Sequence, residues 1–239
     1  MPRRTIVALL LLLVAAPGLA DTLLTVRSTI EGLKMDAPQG EEPIRIWVNS
    51  DKSDKSDKDG KGDKLRRDEG DVSYILRLDR GRLYVINHAE KTYSELAVPV
   101  DPQKIPAADA AQVKAQVTST GETKKIGSWN VHKYRVDISN PAGLHLDTTI
   151  WASTEIPSYQ ALTRLAASLA ALQPGSADWS RKLEQIDGFP VAQEAAVTMG
   201  TSHFKTREEL VSVETRDAPA GTYEPPAGYT AQPFGGAPQ

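Results

Sequence analysis

Two features of this sequence carry residue types suited to chemistry. One is the run SDKSDKSDKDGKGDKLRRDEGD, from Ser50 to Asp71; the other is the set of four histidines, His88, His132, His145 and His203. The run contains D-x-D-G, a fragment of a calcium-binding loop. With Gly60 at the sixth position of such a loop, Asp57 and Asp59 fall at the third and fifth, but Lys55 falls at the first and Arg66 at the twelfth. The first ligand and the closing bidentate carboxylate are therefore missing. Nor is the run a basic patch, because residues 51–71 hold eight acids against seven bases. Ser and Asp are poor helix formers, and Gly60 and Gly62 would end any helix. Residues 51–60 read as a flexible charged hairpin loop.

The histidines stand far apart, each among strand-forming residues, with no H-E-x-x-H spacing. GTSHF at 200–204 lacks the second glycine of G-x-S-x-G, and no P-loop occurs. Carboxylates are plentiful. Yet Asp68-Glu69 and Glu208-Glu209 are neighbours in sequence, so in a strand each pair points to opposite faces, as solvated charges do. No catalytic, metal-binding or cofactor-binding residue is assigned, and the reading is of a protein that is not an enzyme.

The elements that would position a site are mostly strands. TLLTVRSTI, PIRIWVN, VSYILRLD and RLYVINH alternate apolar and polar residues with period two, and Arg80-Gly81 turns the last pair into a hairpin. PAADAAQVKAQV (106–117) is Ala-rich and predicts a short helix starting at Pro106. ETKKIGSWN, VHKYRVDIS and LHLDTTIWAS return to strand. IPSYQALTRLAASLAALQPG then places Leu162, Leu165, Leu169 and Leu172 on one stripe of a helix that begins at Pro157 or Ser158. SADWSRKLEQIDG predicts a second helix, and FPVAQEAAVTM, TSHFKTREEL with VSVETRD, and TYEP predict closing strands. The fold class is α+β: a strongly curved antiparallel sheet with two or three helices packed on its concave side.

The ends and the composition bound the setting. MPRRTIVALLLLLVAAPGLA (1–20) has the basic, apolar and small-residue regions of a secretory signal peptide, cleaved after Ala20. An exported, periplasmic chain is expected, with a single domain over 21–230 and a disordered Pro/Gly-rich tail over 231–239. There is no Cys, so disulfides, thiolate metal sites and the acylated cysteine of a lipoprotein do not arise. Without Arg3 and Arg4 the 28 basic residues become 26 against 31 acidic ones. Such mild acidity argues against a nucleic-acid binder. No second apolar run approaches the length that spans a membrane.

Several segments occur in a telling order: KGDKLRRD (61–68), RLYVINHAEKTYSEL (82–96), TGETKKIGSWNVHKYRV (120–136), TIWAST (149–154), GFPVAQE (188–194) and YEPPAGYT (223–230). Together they resemble a family of exported bacterial proteins of unknown function in the superfamily of the outer-membrane lipoprotein carrier LolA and its LolB-like relatives. The resemblance spans roughly residues 22–230. It implies a half-open antiparallel β-barrel closed by helices over an apolar cavity, which in relatives holds acyl chains.

The residues expected to line such a cavity are Trp47, Tyr74, Leu76, Leu83, Val85, Tyr134, Val136 and Trp151 on strands, with Leu162, Leu165, Leu169, Leu172 and Trp179 on helices. Packed core is the commoner role for such side chains, but in a cup-shaped fold the helix that closes the core also walls the cavity. The expected function is non-enzymatic binding of a lipid, a lipoprotein acyl chain or another apolar ligand, without a cofactor. The alternative is a cell-envelope protein–protein interaction module with a filled core.

Overall fold

Period-two alternation makes strands of nearly every segment that shows it. The computed structural model describes residues 21–32, 43–49, 63–100, 113–172 and 177–235. A first meander holds β1 (Thr22–Glu31), β2 (Ile44–Asn49), β3 (Lys64–Glu69), β4 (Val72–Arg77), β5 (Arg82–Asn87) and β6 (Thr92–Ala97). A second holds β7 (Lys114–Ile126), β8 (Trp129–Ser139), β9 (Leu144–Ser153), β10 (Phe189–Met199) and β11 (Ser202–Thr215). Helices α1 (Tyr159–Ala171) and α2 (Ala177–Lys182) lie between β9 and β10. The first and last long strands, β1 and β11, pair and fuse the meanders into one sheet of order β12-β6-β5-β4-β3-β2-β1-β11-β10-β9-β8-β7. Its end strands do not pair with each other, so the sheet is not a closed barrel. All neighbours run antiparallel except β12 (Thr230–Ala231), which adds in parallel to β6.

Irregularities at Thr25/Val26, Ser119/Thr123 and Pro190/Ala192 interrupt the ladders. Such bulges increase local twist and bend a strand. The sheet curls far enough for Arg67 of β3 to meet Glu208 of β11, Nη2 to Oε1 at 3.9 Å. Those strands are three sheet positions apart, about 14 Å at the usual spacing.

Three expectations need correction. The described residues hold one helix of more than two turns, α1, rather than two or three. The second predicted helix is six residues long and tightens into a 3-10 turn at Leu183–Gln185. Ala content misled the reading of 106–117: residues 101–112 lie outside the described residues, but Lys114–Val117 belong to β7, where Ala115 is buried among Tyr134, Val136 and Ile138. Tertiary packing overrides helix propensity there. TYEP is a pair of turns, with Thr222 N–H donating to Pro219 O and Glu224 N–H to Gly221 O. β12 ends at Ala231, the first residue of the segment expected to be a disordered tail, and Gln232 N–H donates to Tyr93 O at 2.8 Å, while residues 236–239 lie outside the described residues. The signal-peptide reading and the 51–60 loop fall outside the described residues.

The first strand of the second meander, β7, is a sheet edge. At Ala115 its free backbone groups are covered by α2. Asp178 accepts the Ala115 N–H at 3.3 Å, and Lys182 donates to the Ala115 carbonyl. Covering an edge in this way removes a template for unwanted strand pairing.

Candidate functional site: a cavity between two apolar clusters

The inner face of the sheet carries two separate apolar clusters. Leu24, Ile46, Leu65, Leu76 and Leu83 pack beneath Leu162 and Leu165 of α1. Tyr134, Val136, Ile138 and Ile150 pack beneath Trp179, Leu183 and Ile186 of α2 and the turn after it. Between the clusters lies a cavity of about 470 Å³. Val26, Leu162, Leu169 and Phe189 wall it from the first cluster, and Ile138, Ile150, Leu183 and Ile186 from the second. Where the chain turns into β10, Gly188 lines the cavity with φ +109° and lies directly against the backbone of Ser153.

One end of the cavity is polar. Arg67, Glu69, Gln193 and Glu208 line it together with Tyr74 and Thr206. Arg67 Nε donates to Glu69 at 3.1 Å, and Gln193 Nε2 donates to Glu208 at 3.0 Å. Burial pushes the Glu208 carboxyl above the usual glutamate range; Arg67 opposes this and Glu69 adds to it. Burial likewise raises the Tyr74 phenol, with Glu69 contributing in the same direction.

A folded-state pKa above the unfolded value means that the native protein binds the proton more tightly than the unfolded chain. Ionised Glu208 therefore lowers stability above its folded pKa, and the penalty disappears below the unfolded value of about 4.3. Glu208→Gln is expected to raise Tm at pH 7–8 by roughly 2–4 °C, equivalent to about 1 kcal/mol. The gain should shrink to nothing near pH 4 in thermal scans across pH. A constant or negative shift would count against the desolvated carboxylate.

The sequence matches the family described as Domain of unknown function (DUF4412) over residues 32–229. The chain belongs to that family. No curated protein matches the DUF4412 chain. Among solved structures it is similar to a domain named for outer membrane lipoprotein sorting, from Vibrio parahaemolyticus. The identity is 9%, with 87% of this chain and 90% of that chain covered, at a TM-score of 0.32. A likeness at that level carries no functional information.

In this DUF4412 chain the residues proposed from sequence separate into three places. Tyr74, Leu162, Leu169, Leu172 and Trp179 line the cavity. Leu76, Leu83, Val85 and Leu165 are packed in the first cluster, and Tyr134 and Val136 in the second. Trp47 stands on the outer face, because Ile46 and Val48 beside it point inward, and Trp151 packs half-buried against the first cluster. Arg216 lies over the Trp47 ring at 5.5 Å, and Lys124 over the Trp151 ring at 3.8 Å. The polar residues Arg67, Glu69, Gln193 and Glu208 were not anticipated. Their signal was parity: Glu208 shares a face with buried Leu210, and Arg67 with buried Leu65.

The family-like segments themselves meet elsewhere, on the outer face of β3–β6. His88 and Ser73 approach at 2.7 Å, Ser73 donates to Asp68, and Arg66 Nε donates to Asp68 at 2.6 Å. The segment after β11 closes this network: Tyr229 lies 2.9 Å from His88 Nδ1, and Arg66 donates to Thr222 O at 3.2 Å. Ser73 is 1% exposed, so the arrangement holds the C-terminal segment against the sheet and offers no open nucleophile.

Proposed function

We propose that this protein is a non-enzymatic binding protein of the bacterial envelope, holding a lipid, an acyl chain or another apolar group in the cavity between α1 and the curled sheet. The observation that carries this reading is the split core. A filled core would join the two apolar clusters, whereas here about 470 Å³ separates them, a volume within the range of small-molecule sites. Burying alkyl chain against such walls stabilises a complex by about 0.8 kcal/mol per methylene before ordering costs. The resemblance of the segments at 61–68, 82–96 and 223–230 to the LolA superfamily, and the signal-like first twenty residues, favour the same setting.

The test is direct. Protein purified from an envelope fraction is extracted with organic solvent and assayed by mass spectrometry for stoichiometric lipid. Uptake of the uncharged probe N-phenyl-1-naphthylamine is followed by fluorescence. Ala195 lines the cavity and is 8% exposed, so Ala195→Phe fills the space from the sheet side. That variant should weaken probe binding at least tenfold while remaining folded by circular dichroism. Neither lipid nor probe uptake in the wild-type protein would sink the reading and leave the protein–protein interaction module.

A further inference from the structure

The polar end of the cavity bears on which apolar ligand fits, an inference that rests on the reading just given. Exposure increases along it: the side chains of Arg67, Glu208 and Glu69 are 20%, 26% and 48% exposed. A ligand with its alkyl chain between Leu169 and Ile150 would thus leave its head group at these three residues, facing water. Arg67 is the one cation among the described lining residues, and its Nε is already taken by Glu69. Its Nη2 stands 3.9 Å from Glu208, beyond hydrogen-bond reach.

A carboxylate offers about four acceptor positions. Glu208 has one filled by Gln193 and keeps capacity towards the cavity. With both glutamates ionised, the three side chains carry a net −1. The spare capacity at the mouth is therefore for a donor: Glu208 accepts from Gln193 and faces Arg67 at 3.9 Å, and the charge left over is negative.

We propose that the cavity selects amphiphiles whose head is a hydrogen-bond-donating cation, a primary ammonium, seated against Glu208 and Glu69 with the alkyl chain running inward beneath α1. Such a head brings the mouth to neutrality. A carboxylate or phosphate head would meet two carboxylates with a single, already engaged guanidinium to offset them.

Dodecylamine, dodecanol and dodecanoate, each below its micellar concentration, are compared as competitors of bound N-phenyl-1-naphthylamine at pH 7.5 and low salt. Dodecylamine should compete at least tenfold more tightly than dodecanoate, with dodecanol between them. Glu208→Gln should bring the three within a few-fold of one another, and Glu69→Gln, at a more exposed position, should reduce the amine preference in part. Dodecanoate binding as tightly as dodecylamine, or a preference unchanged in both variants, overturns the head-group proposal while binding of dodecanol keeps the cavity reading. Failure of all three, dodecanol included, overturns both.

Discussion

Replacing Gly188 by alanine is expected to lower stability by about 3 kcal/mol or more, or to prevent folding. Two separate costs coincide at this residue. Its φ of +109° is a conformation that side chains other than glycine rarely adopt, and a Cβ would lie 2.6 Å from Ser153 C, 2.7 Å from Ser153 O and 2.9 Å from Ser153 N. All three contacts are backbone, so no side chain can swing aside. Relief requires β9 and β10 to part where the register shifts between Pro190 and Ala192. Gly188 also lines the cavity, so any surviving protein should lose probe binding as well. Urea unfolding of Gly188→Ala beside Gly200→Ala gives the comparison. Gly200 also has positive φ, at +60°, but no atom lies within 4 Å of a Cβ there. Equal midpoints for the two variants would show that the close approach to Ser153 does not matter.

Ending the chain after Arg216 should be comparably severe, on the order of 5 kcal/mol. The segment that follows lies on the outer face, where Ile75 and Ile86 are fully buried with Tyr84 beneath Tyr223 and Tyr229. Its removal exposes those side chains, each of which contributes roughly 1.5–3 kcal/mol when fully buried. It also takes partners from groups that stay behind. Arg77, 4% exposed, is bound to Asp79 and Glu224 and donates to Tyr223 O at 3.1 Å. Asp21 accepts from the Tyr223 hydroxyl at 2.9 Å and from Ala218 N–H at 2.8 Å. By contrast, Tyr229→Phe removes only the hydroxyl beside His88 and should cost about 1 kcal/mol. A truncated protein with the urea midpoint of the intact chain would show that the segment is an ornament on a self-sufficient sheet.

How much of this was legible follows from what alternation can encode. β2, β4, β5 and β8 could be read from period two because one face of each is apolar against a core. The same rule conceals the outer cluster. Ile75 and Ile86 point away from Leu76 and Leu83, and nothing local says that a segment some 140 residues later covers them. Glu208 and Glu209, adjacent in a strand, point to opposite faces as adjacency requires: Glu209 pairs with Arg207 on the exposed side, while Glu208 lines the cavity. Adjacency cannot say that Glu208 is anything but solvated, because that depends on the curl that brings Arg67 across two intervening strands. Trp47 turns on its size, which outweighs its parity in a reading of the sequence, although buried Ile46 beside it implies an outward-pointing ring. The Leu stripe of α1 was legible as a stripe, but only packing separates Leu165, held in the core, from Leu169 on the cavity wall.

The pairing of β1 with β11 bears on the order of assembly. Thr22 lies opposite Thr215 and Ser28 opposite Glu208, contacts between residues far apart in sequence. Most neighbouring strands within each meander are joined by local hairpins that close quickly, whereas the joint between the meanders carries the loop-closure entropy of the whole segment from Thr22 to Thr215. The cavity straddles that joint, with Val26 from one meander and Glu208 from the other. A nascent chain still short of β11 therefore has hairpins but no completed cavity, and the binding site belongs to the last stage of folding.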